Sequence, residues 1–317
     1  MEILGIDISK SSFDVYGTEL GHQKFSNCPK GFKAFLKFYG SEKHVVMEAT
    51  GYYHYRLAVF LKTNHLAVTV ENPLIIKRFI QMKLTKVKTD KADAKLIYEY
   101  GISRPLPLWE VPSDVQQESS QILSLLSLYE KQSTALKNKL LGEQSMGTPS
   151  KLVAKSLSQE ILHKKKQIQK LEQSLEEIVK KEYQKEVDLL RSIPGIGTKT
   201  SILLATLTDG MKDFQTSSQL CSYAGLTPVI RESGKSIRTR PRISKMGNGR
   251  LRALLFMCSF NACKSNKACK ELYQRIIAKG KSAKLALIAV CNKLLKQAFG
   301  ILKSGNKYDE NYTSILS

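Results

Sequence analysis

Four acidic residues in this sequence stand where chemistry could be done with them. Asp7 lies inside the apolar run "LGIDIS", Glu48 closes the strand-like "VVMEATG", and Asp90 and Asp93 are three apart in "KTDKADA". A carboxylate among apolar residues is costly to bury without a partner or a metal. A spacing of three on a helix puts two side chains on one face. Oxygen donors of this kind suit Mg²⁺ or Mn²⁺, and two such ions about 3.5–4 Å apart can serve both the attacking and the leaving oxygen of a phosphodiester. Taken singly, Asp90 can be a helix cap and Asp7 a satisfied buried carboxylate. Taken together, four acids from two strands and one helix point to a divalent-metal site for phosphoryl transfer.

Those positions need a scaffold. From Met1 to Ser103, "EILGIDI", "SFDVYGT", "HQKFSNC", "HVVMEA" and "LAVTVE" predict strands. Between and after them, "KGFKAFLKFY", "YHYRLAVFLKTN", "PLIIKRFIQM" and "ADAKLIYEYGI" predict helices. Three strands followed by alternating helices and strands make a mixed sheet covered on both faces. The proline-rich stretch "SRPLPLWEVPSD" predicts a linker, taken as residues 104–115. Residues 116–187 repeat Leu and Ile at spacings of three and four among charges, as in "ILHKKKQIQKLEQSLEEIV", and predict a helical hairpin or coiled coil. Such an element serves equally as a solvated spacer or as a subunit-pairing surface. Residues 188–317 predict a mainly α-helical domain opening on "LLRSIPGIGTKTSILLATL". There Pro194, Gly195 and Gly197 mark a tight turn between two apolar helices. The free N–H groups at the start of the second helix, near Thr198 and Lys199, can accept a backbone phosphate. This is the pattern of a helix-hairpin-helix that holds DNA without reading it, although the same turn could serve only to pack two helices.

The charge balance supports that chemistry. Fifty Lys and Arg against 28 Asp and Glu give a formal net charge of +22 over 317 residues, spread along the chain. A polyanion, nucleic acid before a membrane surface, is the expected partner. A hydrophobic content of 42% excludes a disordered tail, and no stretch reads as the roughly 18 apolar residues of a membrane span. "MEILGIDISK" lacks a basic leader and a small-residue cleavage site, so a cytoplasmic location is expected. The six cysteines form no C-x-x-C pair and stand apart from the five histidines, which excludes a zinc site or a disulfide framework and predicts reduced, mostly buried thiols.

The sequence resembles the transposases of the IS110 class and their relatives, the pilin-gene DNA invertases. "GIDISKSSFDV", "FSNCPKGFKAF", "VVMEATGYYH", "VENP" and "KTDKADA" are similar to that family's N-terminal RuvC-like domain. "IPGIGTKTSILLA", "FQTSSQLCSYAGLTPVIRESGKS" and "RISKMGNGRLRALLF" are similar to its C-terminal transposase domain. The motifs occur in the family's order over nearly the whole chain. The resemblance implies an RNase H-like fold for residues 1–103, with the family's acidic tetrad on Asp7, Glu48, Asp90 and Asp93. It also implies a catalytic serine at Ser233, in the basic loop "RESGKSIRTRPR". A serine before glycine can approach a phosphate closely, with Lys235, Arg238, Arg240, Arg242 and Lys245 to neutralise it. Unaided, serine is a poor nucleophile, so metal at the tetrad is expected to assist. The family's second glycine after that pair is Lys235 here, and the following loop holds Pro241.

The resemblance further implies a transposase of an insertion sequence in a bacterial cytoplasm, near the nucleoid. It would act on donor and target duplex DNA, be guided by a structured RNA, use two Mg²⁺ or Mn²⁺ ions, and work as a dimer or tetramer. The alternatives from the residues themselves are a metal-dependent junction-resolving nuclease that uses water and a non-enzymatic nucleic-acid-binding protein.

Overall fold

The computed structural model describes residues 1–84, 89–230, 232–233, 237–238 and 242–311, with 232–233 and 237–238 described by their backbone alone. The chain divides into two units, Met1–Pro112 and Ser113–Ser317.

The first unit is a mixed α/β sheet structure. Strands β1 (Glu2–Ile8), β2 (Ser12–Gly17) and β3 (Gly21–Ser26) form an antiparallel meander, and β4 (Lys43–Glu48) and β5 (Ala67–Glu71) continue parallel to β1, in the order β3-β2-β1-β4-β5. The connections are α1 (Pro29–Tyr39) before β4 and α2 (Tyr55–Thr63) before β5; α3 (Pro73–Met82) and α4 (Asp90–Ile102) follow. Alternation along each strand splits the apolar side chains between two faces. Leu4, Ile6, Phe13, Val15, Val45, Met47 and Val68 pack against Phe32 and Phe35 of α1 and Leu57 and Leu61 of α2. On the other face Ile3 and Val46 pack against Ile76 and Phe79 of α3 and Ile97 and Tyr100 of α4.

One contact in this unit sets the distance between sheet and helix. A Cβ on Gly5 would lie 2.2 Å from the Tyr98 nitrogen and 2.4 Å from the Ala94 oxygen, and one on Gly101 would lie 2.8 Å from Ile3 Cγ2. The backbone of α4 therefore rests directly on β1, running antiparallel to it. Residues 104–112, read from sequence as a linker, add to this unit. Trp109 N–H donates to the Val68 carbonyl at 2.7 Å, the Thr69 hydroxyl donates to the Pro107 carbonyl at 2.7 Å, and Trp109 and Leu106 pack against the two cores.

The second unit is helical. Two 32-residue helices, α5 (Asp114–Ser145) and α6 (Lys151–Glu182), form an antiparallel pair. A capping box from Ser113 and Gln116 starts α5. Then come α7 (Gln184–Arg191), α8 (Thr198–Leu207), α9 (Ser217–Tyr223), α10 (Gly249–Ser265), α11 (Lys267–Ala278) and α12 (Ala283–Ser304). Leu123, Leu126, Leu175 and Val179 at the base of the pair share one core with Leu190, Leu204, Leu251, Leu255, Leu294 and Leu295. Arg250 of α10 braces that base, donating to the Leu123 carbonyl at 3.1 Å and to Glu130 at 2.9 Å. The hairpin read as residues 116–187 and the domain read as 188–317 are thus packed as one body.

Helix α12 amends one sequence expectation. By length and composition it is apolar enough to cross a membrane. Its Ala286, Leu287, Val290, Cys291, Leu294, Leu295, Ala298 and Ile301 are buried in the unit's core, which accounts for its apolar character. The six cysteines are free thiols, four of them buried, and burial pushes those of Cys269 and Cys291 up to about 12.

The segment read as a basic loop is, where described, a narrow β-arm. Strand β6 (Pro228–Val229) pairs antiparallel with β9 (Arg242–Ile243), and β7 (Glu232–Ser233) with β8 (Ile237–Arg238). Strands of two residues are too short to show any alternation, which is why the sequence reads as loop.

Candidate active site

The two sheet faces decide where the acids point. Ile3 and Gly5 meet α4, so Asp7, the next residue of that parity, projects on the same face. Glu48 follows Val46 on that face in the same way. Because α4 runs antiparallel to β1 with Gly101 over Ile3 and Ala94 over Gly5, its N-terminal turn arrives beside Asp7. That turn carries Asp90 and Asp93. Thr89 is the N-cap, its side chain accepting from the Ala92 N–H at 3.2 Å, so Asp90 is not needed as a cap.

The charges feel one another. The Asp7 carboxyl is raised to about 6, first by burial and then by Asp93, Glu48, Asp90 and Asp14. Glu48 accepts from the Thr50 hydroxyl at 3.0 Å. Its parallel neighbour Glu71 is engaged otherwise, accepting from the Tyr100 hydroxyl at 2.6 Å.

Asp14 was not among the sequence candidates, and it is the fifth acid here. The tight turn between β1 and β2 sets Asp7 directly opposite Asp14, and Asp14 opposite Lys24. Asp14 is buried, accepts from His22 Nε2 at 2.7 Å, and stands 3.2 Å from Lys24 Nζ. Lys24 Nζ also lies 3.7 Å from Asp90. The signal lay in "DISKSSFD", two acids seven positions apart across a tight turn, which makes a hairpin pair of them.

A divalent cation fits this donor set by chemistry and charge: hard oxygen ligands, mutually repelling, around a carboxyl held up by burial and then by its neighbours. Among the described residues no three His, Cys, Asp or Glu side chains stand at metal-holding spacing. The structure brings the four acids together as a charge cluster, short of a coordination shell.

In the second unit, Ser233 lies in β7 opposite Ile237. Of Arg238 the backbone is described, in β8; Lys235 and Arg240 lie outside the described residues. Arg242 and Lys245 are exposed at the root of the arm. Lys245, at φ 56°, donates its N–H to the Gly225 carbonyl, and Ser244 N–H donates to the Thr227 carbonyl. Asn248 N–H donates to the Tyr223 carbonyl, and a Cβ on Gly247 would lie 2.2 Å from that same oxygen. The turn between α7 and α8 is present. Gly195 has φ 99° and a Cβ there would lie 2.6 Å from Ala262 Cβ, so this glycine serves close packing against α10. Gly197 is exposed, caps α8, and its carbonyl accepts from the Thr200 and Ser201 N–H groups. Lys199 is exposed, with its ammonium 2.6 Å from Glu172 of α6.

Comparison with known proteins decides the family. Residues 4–142 match the model of the IS110-type DEDD domain, described as a transposase, and residues 187–274 match the model described as the transposase IS116/IS110/IS902 family. The chain is 31% identical to the pilin gene-inverting protein of Moraxella bovis, over 97% of each chain. It belongs to the IS110 transposase family. The transposase for insertion sequence element IS1111A of Coxiella burnetii is 24% identical, over 92% of this chain and 87% of its own. A 43.6 kDa protein of insertion element IS110 from Streptomyces coelicolor is 34% identical over 38% of this chain and 30% of its own. As an IS110-family transposase the protein is an enzyme of DNA recombination, with DNA as its substrate. Its DEDD domain indicates dependence on a divalent metal, and its mixed sheet with flanking helices is consistent with an RNase H-like domain ahead of a helical C-terminus.

Proposed function

We propose that this transposase cuts and rejoins DNA through a covalent phosphoserine formed by Ser233, with Asp7, Glu48, Asp90 and Asp93 as the acids that hold divalent metal, two ions by the spacing such chemistry uses. The observation that carries the acidic half is the raised Asp7 carboxyl, whose causes name the other three members of the tetrad. A carboxyl raised in this way is relieved by a cation. When bound, divalent metal supplies charge neutralisation at the phosphate and lowers the barrier to attack on it. The Ser233 oxygen forms a bond to phosphorus and loses its proton, and a DNA oxygen leaves that phosphorus as a hydroxyl. The reverse attack by a second DNA hydroxyl frees the serine and restores a phosphodiester, so bond energy is kept in the ester. Arg242 and Lys245, exposed at the root of the arm, suit phosphate contact, and Gly197 presents the free N–H groups of α8 for the same use. Lys199 would first have to leave Glu172.

The test is trapping. Denatured on cleavable DNA, the wild-type protein should migrate as a detergent-resistant adduct, and Ser233→Ala should lose adduct and cleavage while binding DNA nearly as well. Cleavage by Ser233→Ala at the wild-type rate, with no adduct from either protein, would replace this reading with a water-using nuclease.

Guidance by a structured RNA rests on family resemblance and on the +22 charge. RNA copurifying with the protein, extracted and sequenced, tests it. Pairing of subunits through α5 and α6 is favoured by one observation. Away from the shared core, Leu141, Met146, Leu152 and Leu162 are more than half exposed. Light scattering should return a mass above one 35.6 kDa chain; a monomer with and without nucleic acid would leave the pair a spacer.

A further inference from the structure

Beside the acidic end of the first sheet stands a turn with two exposed tyrosines. Tyr52 is 83% exposed and Tyr53 45%. Single exposed aromatics are common and decide nothing alone. Here, however, the turn is built. Gly51 takes φ 52°, Tyr53 N–H donates to the Thr50 carbonyl, and Tyr55 N–H donates to the Tyr52 carbonyl. Thr50 in turn holds Glu48. The Asn27 amide donates to the Ser9 carbonyl at 2.8 Å and to the Tyr53 carbonyl at 3.3 Å. One nitrogen thereby ties the tyrosine turn to the residue two beyond Asp7. Tyr52 is four positions from Glu48, at most about 14 Å of extended chain and less in a turn. The backbone of the turn is thus fixed, and the Tyr52 ring it carries is open to solvent within a nucleotide or two of any phosphate the carboxylates hold.

We propose that Tyr52 stacks on a nucleobase of the DNA strand being cut, next to the scissile phosphate, with Tyr53 as its flank. A strand opened for cleavage loses base stacking, and an aromatic ring replaces it without regard to base identity. The ring contributes its face, so the hydroxyl is dispensable. The proposal rests on the tetrad being the catalytic acids of the reaction.

A binding cycle tests it. Cleavage sites are mapped on a DNA the enzyme cuts, and single abasic positions are then walked across the strand near the scissile phosphate, with equilibrium affinity as the readout. Tyr52→Ala should weaken binding about tenfold, the typical loss for one stacked base. One abasic position should cost the wild type the same, and the two losses should not add. Tyr52→Phe should bind like wild type, and Tyr52→Leu like Tyr52→Ala. Additive losses at every position, or Tyr52→Phe as weak as Tyr52→Ala, overturns the proposal. So does a Tyr52→Ala defect seen with copurified RNA and absent with DNA. Asp7→Asn is carried in parallel: if it cleaves at the wild-type rate, the tetrad reading fails, whereas the stacking cycle is read from binding alone.

Discussion

The two units hold their reactive groups in opposite ways. In the first, every acid sits on an element whose place is dictated by a buried core: Asp7 on the central strand, Glu48 on its parallel neighbour, Asp90 and Asp93 on a helix laid backbone-to-backbone on β1. In the second, Ser233 sits on an arm of two-residue strands, where Val229 and Ile230 are exposed. A lone two-stranded ribbon is marginal in water; among the described residues this one is anchored where Ile243 packs on the core and where Ser244, Lys245 and Asn248 bond back to 223–227. The acids are preorganised, and the serine is presented. In the proposed reaction, groups that hold highly charged ions against their own repulsion need the rigid scaffold, and a serine that meets, carries and releases DNA strands is better served by an arm.

The sharpest way to break this contrast is at the reactive groups. Asp7→Asn should lower strand cleavage by at least about a thousandfold, as removal of a metal-binding carboxylate does, with the far-ultraviolet circular dichroism unchanged. Full activity in Mg²⁺ would show that the cluster is structural.

Next in size are the glycines that seat each group. Gly5→Ala drives a methyl into the α4 backbone and should destabilise the first unit by about 3 kcal/mol or more, read as a lowered denaturation midpoint. Gly247→Ala strikes the anchor of the arm, where φ is 139° and the Tyr223 oxygen is in the way. It should abolish adduct formation while leaving the first unit's transition where it was. If both glycine variants shift both transitions together, the two units do not hold their groups independently.

A smaller effect follows from the raised Asp7 carboxyl. Its folded value of about 6 exceeds the ordinary 3.8. The proton is bound more tightly in the folded state, so the stabilisation is complete below the ordinary value and is lost as pH rises through the folded one. Metal-free protein should therefore lose stability between about pH 4 and pH 7. Asp7→Asn should flatten that profile and raise stability at neutral pH by about 1–2 kcal/mol, after solvent screening at a partly exposed group. Thermal scans of the two proteins in chelator, across that range, check the sign. Smallest is Lys24→Gln. It removes a half-exposed ammonium from Asp14 and Asp90 and should lower the stability of metal-free protein only slightly while tightening Mn²⁺ binding measured calorimetrically.

How far the sequence could be read follows from the same contrast. The first unit was legible because alternation with period two and helical spacing are both strong when an element is buried on one side, and the tetrad could be placed on strand ends and a helix start from that pattern alone. Asp14 escaped because its partnership with Asp7 depends on hairpin register, not on its own surroundings. Residues 104–112 escaped because Pro105, Pro107 and Pro112 look like a spacer, whereas Trp109 and Leu106 give the stretch a reason to pack. The arm around Ser233 was read as a loop because its strands are too short to carry a pattern. Family resemblance picked out that serine; nothing in its immediate chemistry did.

The glycine at position 5 has a consequence in genetic terms. Every single-base change at the first or second position of a glycine codon yields a residue with a Cβ or a stop. At Gly5 any of those side chains meets the backbone of α4. A copy of the element carrying such a change would still encode Asp7, Glu48, Asp90, Asp93 and Ser233, and would read as intact by its motifs. It would nonetheless have lost the seat that brings Asp90 and Asp93 to Asp7. For a mobile element that accumulates in copies, the residue with no side chain would then be as strict a mark of a working copy as the proposed tetrad.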